Sequence, residues 1–236
     1  MPAVTRFAAL AAVSLFATSA PAATVDFATN FGLALTEGTR ITDFDFGAGL
    51  TGRLTVTGGA GEARIFDTRP GSTGTRPARE GGGGDPDLAS PFTNVADATD
   101  ARNFGNALII QEAAGRASAI PDDNAGKGAI TFSFDRPVDL YSFTYLDGEK
   151  GARVKVDGAR VGRKARGADN LFDVVTFDGP ETRGISAFTV MFGGSGAIGA
   201  FEAAPATPPA PVPLPASATL LGFALLGLAL ARRRRG

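Results

Sequence analysis

Short segments in which apolar and polar or small residues alternate recur along most of the chain. Ile130, Phe132 and Phe134 follow this pattern, and so do the residues of 188–192. A period of two residues is typical of β-strands with one buried face. The pattern therefore predicts eight or more short strands and an all-β fold, an antiparallel, jelly-roll-like β-sandwich. The other strand-like segments are residues 54–56, 63–66, 107–110, 138–145, 154–156, 172–177 and 198–201.

Turn and loop signals divide these strands. Asp157-Gly158 lies between two apolar segments and predicts a type I′ hairpin turn. Residues 69–106 are dominated by Gly, Pro, Arg and Asp, and include four consecutive glycines at 81–84. An irregular segment of this length is usually a functional loop or a disordered one. Residues 204–215 are rich in Pro, which predicts an extended, semi-rigid linker.

The first 22 residues have the pattern of a secretory signal peptide. Arg6 is followed by an apolar run over 7–17, and Ala20-Pro21-Ala22 forms an A-x-A cleavage motif, with Ala20 and Ala22 as its small residues. The mature chain is therefore predicted to begin at Ala23. A permanent N-terminal anchor is the alternative, but the apolar run is short for that role.

The C-terminal segment has the pattern of a membrane helix with a basic stop. Residues 216–231 contain no charge and no Pro, and as a helix they would extend roughly 24 Å. The four arginines that follow would remain on the cytoplasmic side and place the preceding chain outside. A buried core helix with a basic tail (232–236) is the alternative, but such a helix normally has a polar face. The predicted stop consists of Arg232, Arg233, Arg234 and Arg235.

The short string before this helix gives the tail a specific resemblance. Val212, Pro213, Leu214, Pro215 and Ala216 read VPLPA, and an apolar helix and an arginine cluster follow them. This order resembles the VPLPA variant of the PEP-CTERM sorting signal of Gram-negative bacteria. The resemblance implies export across the inner membrane, transient anchoring there and recognition of these five residues by an exosortase-type membrane peptidase. The product would be cell-surface or extracellular, and many such proteins accompany exopolysaccharide.

The remaining segment, residues 23–203, is long enough for one sizeable domain. Without Arg6 and the terminal arginines it has 18 basic and 24 acidic residues, which argues against a nucleic-acid partner. The chain has no His and no Cys, so Ser-His-Asp and Cys-His mechanisms, the usual zinc sites and disulfides are all excluded. The segment 150–166 is locally basic, and is either a solvated hairpin or a patch for an anionic polysaccharide.

Acidic residues recur where predicted strands end, which makes a calcium site the one candidate for binding chemistry. Calcium takes 6–8 oxygen ligands, mostly carboxylates, amides and main-chain carbonyls of flexible loops. The alternative is that these residues form Asx turns, because Asp and Asn beside Gly or Pro commonly do so. The candidate ligands are Asp67, Asp85, Asp87, Glu112, Asp122, Asp123, Asn124 and Asp147.

The domain itself resembles uncharacterised β-sandwich ectodomains that occur ahead of PEP-CTERM-type tails. The resemblance covers most of residues 45–202 and implies a sandwich fold without assigning an activity. It is carried by the strings IFDT (65–68), GDPDL (84–88), ALIIQE (107–112), PDDN (121–124) and ITF (130–132).

Three functional hypotheses follow. The first is a non-enzymatic surface or matrix protein that binds carbohydrate or another surface polymer, with calcium as its cofactor. Carbohydrate sites commonly use aromatic side chains, but the chain has no Trp and its tyrosines are Tyr141 and Tyr145. The second is a structural matrix or coat protein that self-associates. The third, a carboxylate hydrolase that uses Glu112, is the least favoured.

Overall fold

The computed structural model describes residues 21–77, 85–112, 120–148 and 150–207, together with positions 222, 224, 225, 232 and 233. The described residues between 21 and 206 belong to one compact unit. The prediction of an all-β, antiparallel fold is confirmed. In chain order the strands are β1 (Ala23–Val25), β2 (Thr29–Asn30), β3 (Leu33–Ala34), β4 (Arg40–Ile41), β5 (Asp43–Asp45), β6 (Thr51–Thr57), β7 (Ala63–Asp67), β8 (Phe92–Asn94), β9 (Ala101–Arg102), β10 (Asn106–Ile110), β11 (Gly128–Leu146), β12 (Ala152–Val156), β13 (Ala159–Ala165), β14 (Leu171–Thr176), β15 (Ile185–Phe192) and β16 (Ala197–Pro205).

The long strand β11 organises the fold because two sets of strands share it. Its first half pairs with β6 on one side and β15 on the other, and its second half pairs with β14 and β16. The register against β15 shifts between Ser133 and Val138. Pro137 lies in this interval, and it lacks the N–H that a regular ladder requires. The sequence therefore places the interruption where β11 changes partners.

The two sets of strands are branches of one large sheet that share β11, and we call them layer I and layer II. Layer I has the order β13-β12-β15-β11-β6-β5, and layer II has the order β9-β8-β14-β11-β16-β10-β7-β4, with β1 also pairing with β16. Among the described strands one pair, β8 with β14, is parallel. The basic segment predicted at 150–166 forms the hairpin β12–β13 at the edge of layer I.

An aromatic core joins residues of both layers. The ring centroid of Phe201 on β16 is 5.1 Å from that of Phe132 on β11 and 5.4 Å from that of Phe188 on β15. Phe132 and Phe188 stack at 4.5 Å, and all three side chains are fully buried or nearly so. The alternation of Ile130, Phe132 and Phe134 therefore does mark an inward face, as predicted.

A second, smaller core covers the opposite face of layer II. Leu88 and Phe92 are fully buried there, and they pack in one cluster with Phe66, Ile109 and Phe172. Leu88 belongs to a short 3-10 helix, Pro86–Leu88; a second such helix is Pro180–Thr182. The segment predicted as one irregular loop, 69–106, thus contains a helix, two strands and buried apolar residues. Its apolar residues are too widely spaced to give a periodic signal.

The first part of that segment is also attached to the domain. The Glu37 carboxylate accepts hydrogen bonds from the backbone N–H groups of Thr73 (2.9 Å) and Gly74 (2.6 Å). The four glycines at 81–84 lie outside the described residues.

The predicted ends of the chain fall largely outside the described residues. These include the signal peptide up to Ala20, the VPLPA motif and most of the predicted membrane helix at 216–231. Among the residues that the structure describes, no helix combines the length and apolar character needed to cross a membrane. Ala23, the predicted first residue of the mature chain, is the first residue of β1.

The predicted hairpin turn at Asp157-Gly158 is confirmed by positive φ angles of 44° and 83°. The Asp157 carboxylate accepts hydrogen bonds from the N–H of Ser186 (3.1 Å) and of Ala187 (2.9 Å), and from the Ser186 hydroxyl (2.7 Å). This side chain therefore joins the β12–β13 turn to the start of β15.

We expect Asp157→Ala to lower the free energy of unfolding by about 1–2 kcal/mol, because it removes these bonds and places Ala, which tolerates a positive φ less well than Asp, in the turn. Asp157→Asn retains an acceptor and tolerates this backbone conformation. It should cost under about 0.5 kcal/mol in urea unfolding. Equal losses in the two variants would contradict this account of the turn.

Candidate metal centre

Six aspartates from four separate segments lie in two groups of three. The carboxylate oxygens of Asp85, Asp122 and Asp123 lie within 4.8 Å of one another, and we call this group triad A. The carboxylate oxygens of Asp87, Asp147 and Asp169 meet the same limit, and we call this group triad B.

The secondary structure explains why these segments meet. Asp85 and Asp87 flank Pro86 at the start of the 3-10 helix that covers layer II. Asp147 directly follows β11, and Asp169 lies two residues before β14, the strand that pairs with the end of β11. The candidate site is therefore at one end of the strands of layer II, where residues 85–92, which we call the covering segment, approach β11 and β14.

The loop that supplies Asp122 and Asp123 is fixed by Gln111, which sequence reasoning did not select. Gln111 is fully buried and forms an isolated antiparallel bridge with Asp123. Its side-chain amide donates to the carbonyl of Ile120 at 3.1 Å. The available sequence signal was a polar residue directly after the apolar run 107–110. A polar side chain buried at such a position needs hydrogen-bond partners.

Triad A is held by hydrogen bonds to two of its carboxylates. Asp85 accepts a hydrogen bond from the backbone N–H of Asp123 at 2.9 Å. Asp123 is 4% exposed and accepts hydrogen bonds from the Ser195 hydroxyl and from the N–H of Gly196, the latter at 2.7 Å. Ser195 lies between glycines in the β15–β16 connection, and the sequence pattern gave no reason to select it.

Triad B contains a carboxylate that is almost completely buried. Asp147 is 1% exposed and one of its oxygens accepts the N–H of Asn170 at 3.0 Å. Within the described part of the chain this is the one hydrogen bond that its carboxylate accepts. The Asn170 amide nitrogen, in the orientation that its neighbours favour, donates to the carbonyls of Asp87 (2.9 Å) and Ala89 (3.0 Å). Asn170 thus joins the β14 loop to the 3-10 helix.

Burial and mutual repulsion disfavour the ionised carboxylates. Burial, followed by the charge of Asp123, raises the pKa of Asp85 to about 9. Burial, followed by the charge of Asp87, raises the pKa of Asp147 to about 7. Burial also raises the pKa of Asp122 and of Asp123, and the charge of Asp87 adds to the rise at Asp123. The charge of a carboxylate in one triad therefore influences the pKa of a carboxylate in the other.

This arrangement fits a hard divalent cation. Its side-chain donors are oxygens, mainly of carboxylates, and they come from loops and strand ends, as calcium sites require. A bound cation would offset the repulsion among the carboxylates and keep them ionised. Each triad offers three side chains, so main-chain carbonyls and water would have to complete a coordination number of 6–8.

The structure places five of the eight predicted ligands in the triads and three elsewhere. Glu112 and Asn124 belong to neither triad; Glu112 is exposed, and Asn124 makes an Asx-type turn with Gly126. Asp67 bonds with Arg69 at the end of β7. Although burial alone would raise the pKa of Asp67, the hydrogen bonds and charge of Arg69 lower it. Asp169 was not predicted, although its position in an Asp-Asn pair before a strand resembles that of Asp122 and Asp123.

Asp67→Asn should therefore leave the effect of calcium on the unfolding temperature unchanged. The substitution removes an ion pair whose arginine is 77% exposed, so its own cost should be about 0.5–1 kcal/mol. Thermal unfolding with calcium and with chelator measures both quantities. Loss of the calcium effect in this variant would place the cation at Asp67 and away from the triads.

Neither the family models nor the curated proteins give a match. Among solved structures, the chain is similar to the Arthrobacter globiformis T6 isomalto-dextranase complexed with panose, with 14% sequence identity and a TM-score of 0.29. The match covers 79% of this chain and 33% of that enzyme.

Proposed function

We propose that this chain is an exported, non-enzymatic surface protein whose sandwich is stabilised by calcium and binds carbohydrate or another surface polymer. The calcium part of the proposal rests on one observation. Six aspartates that are separated by up to 84 positions along the sequence lie together in two compact triads. We include in the proposal that the sandwich is jelly-roll-like, with β11 shared by both layers.

The burial of these aspartates supports a bound cation more directly than their acidic character alone does. Turn-forming aspartates are normally exposed, whereas Asp123 and Asp147 are 4% and 1% exposed. Like charges brought together and removed from water destabilise a fold unless protons or a cation compensate them. Calcium takes 6–8 oxygen ligands in a flexible geometry, whereas magnesium demands a near-ideal octahedron and keeps several waters, so loop carboxylates favour calcium.

Calcium at these positions would have a structural role. Triad A would join the loop at 120–124 to the start of the covering segment, and triad B would join that segment to β11 and β14. Such cross-links resemble disulfides in effect, since each closes a long loop of the unfolded chain. This role suits a chain without cysteine that is destined for an oxidising compartment.

Export and sorting are proposed from the sequence alone. The support is the signal-peptide pattern before Ala23, the Pro-rich linker and the VPLPA string with its helix and arginines. In this proposal an exosortase-type peptidase recognises Val212–Ala216 at the inner membrane and releases the domain to the cell surface.

The alternative is self-association into a matrix or coat. The edge strand β13 argues against it, because its sequence is rich in Arg and Lys, and charged edges oppose strand-to-strand pairing. Light scattering over a range of concentrations tests this alternative: a strict monomer eliminates it, and concentration-dependent assembly supports it.

The binding function is tested by affinity electrophoresis of the purified protein through gels that contain neutral or acidic polysaccharides. We expect retardation in at least one gel that free sugar of the same composition reverses. No retardation in any gel would contradict the carbohydrate part of the proposal and leave the calcium part standing.

A further inference from the structure

The exposed Phe31 stands out among the aromatic side chains. It is 59% exposed, whereas Phe27, Phe44 and Phe132 are almost completely buried. One exposed apolar residue on a surface needs no explanation by itself. Phe31, however, has a φ of 52°, a left-handed conformation that is uncommon for residues other than Gly, Asn and Asp.

Hydrogen bonds hold Phe31 in place. Its N–H donates to the carbonyl of Asp45 at 2.7 Å. The neighbouring Asn30 side chain donates to the carbonyl of Asp43 at 3.0 Å and accepts the N–H of Asp45 at 2.8 Å. The β2–β3 turn is therefore attached to β5, which fixes the backbone position from which the Phe31 ring projects.

This ring lines a cleft of about 730 Å³ over the edge of layer I. Such a volume is within the range of about 300–1,000 Å³ that is usual for small-molecule sites. Asp43, Arg53 and Ser133 are register partners on the adjacent strands β5, β6 and β11, and form a polar row along the cleft. Arg53 donates to the Asp43 carboxylate at 3.2 Å, and Asp135 adds a second carboxylate.

We propose that this cleft binds a neutral sugar unit of a polysaccharide, with the apolar face of the ring against Phe31. The rim of a sugar ring carries hydroxyl groups, which both donate and accept hydrogen bonds; Asp43 and Asp135 can accept them, and Arg53 can donate. The apolar C–H face of the sugar suits the electron-rich face of an aromatic ring. This inference rests on the proposed carbohydrate-binding function and assigns its site.

The charges of the cleft favour a neutral sugar over an acidic one. Two carboxylates and one guanidinium line it, so an added uronate would meet net repulsion. A different cavity of about 300 Å³ is lined by Lys127, Lys150 and Arg153 and has no carboxylate among its described lining residues. Acidic sugars would be attracted there instead, which gives the experiment a clear contrast.

The test is isothermal titration of the full chain with neutral glucan, galactan and mannan oligosaccharides, and with oligogalacturonate. We expect a neutral oligosaccharide to bind, and Phe31→Ala to weaken its binding at least tenfold. Leu33→Ala is the matched control, because Leu33 is 71% exposed on the same hairpin but does not line the cleft. It should change the affinity less than twofold, and Phe31→Tyr should retain binding.

Each of the remaining outcomes would contradict the inference for a different reason. Neutral-sugar binding that survives Phe31→Ala, in a variant with an unchanged unfolding temperature, would place the site elsewhere and preserve the proposed function. Binding of oligogalacturonate alone, lost in Lys150→Ala, would move the site to the basic cavity. Absence of binding to every oligosaccharide would overturn both this inference and the carbohydrate part of the proposed function.

Discussion

Calcium at one hundred times its dissociation constant is expected to raise the unfolding temperature of the protein by about 5–10 °C for each site that it fills. Binding to the folded state alone contributes about 2.7 kcal/mol at this ratio. A domain of 150–250 residues gains about 2–4 °C per kcal/mol. Differential scanning calorimetry with calcium, and then with excess chelator, measures the difference.

Asp123→Asn provides the decisive variant for this first prediction. The asparagine oxygen can still accept the hydrogen bonds of Ser195 and Gly196, but the charge that would bind the cation is removed. The variant should therefore lose the part of the calcium effect that comes from triad A and keep its stability in chelator. Asp135→Asn, at an exposed aspartate outside both triads, is the control and should behave as the unaltered protein. An equal calcium effect in both variants would contradict the assignment.

Without calcium, the protein is expected to lose several kcal/mol of stability as the pH rises from about 4 to about 9. The pKa values of Asp85 and Asp147 in the folded state, about 9 and about 7, lie above the ordinary value of 3.8. The folded state therefore binds more protons than the unfolded state in this interval, and stability falls as the pH rises. The stabilisation is fully present below pH 3.8 and is lost as the pH passes through each folded-state pKa; one pKa unit corresponds to about 1.4 kcal/mol.

Urea unfolding in chelator at several pH values measures this dependence. Saturating calcium should remove most of it, because bound calcium replaces the protons that the carboxylates otherwise need. Asp85→Asn should also flatten the profile, since the amide does not ionise. A metal-free profile that is flat from pH 4 to pH 9 would show that these carboxylates are solvated and unperturbed.

The sequence was sufficient to predict most of the longer strands, but not the short strands β1–β5, β8 and β9, and not the strand pairing. Alternation at residues 130–134 and 188–192 marks positions that are in fact buried, and Asp157-Gly158 marks a turn with the expected φ angles. No local pattern shows that one strand, Gly128–Leu146, joins both layers. That property depends on which strands pair with its two halves, and pairing is a long-range choice.

The covering segment shows a second limit of sequence reasoning. Leu88 and Phe92 lie among Gly, Pro and Asp, without any periodicity, and yet they are fully buried against layer II. Each inserts singly into a surface that strands β7, β10 and β14 supply. Such burial depends on a partner surface formed by distant residues, so a window of sequence cannot reveal it.

The sequence indicated oxygen ligands for the candidate site, but it identified only some of the residues that form the triads. Loop aspartates next to Gly and Pro indicated oxygen ligands, and Asp85, Asp87, Asp122, Asp123 and Asp147 do lie in the triads. Asp67 has the same local pattern, but Arg69 two residues later supplies its counter-charge. Whether a strand-end aspartate joins a cluster depends on the nearest cation and on strand pairing, which the local pattern does not specify.

Terbium luminescence tests the central claim most directly. Terbium takes the same oxygen ligands as calcium and emits when a nearby tyrosine absorbs. Tyr145 is suited to this role, since its hydroxyl donates to the carbonyl of Ser195 at 3.0 Å and Ser195 in turn bonds Asp123. The account predicts emission that saturates, that calcium displaces, and that both Asp123→Asn and Tyr145→Phe greatly reduce. Emission no stronger than that of terbium in buffer would contradict a cation at the triads, and emission unchanged in Asp123→Asn would contradict a cation at triad A.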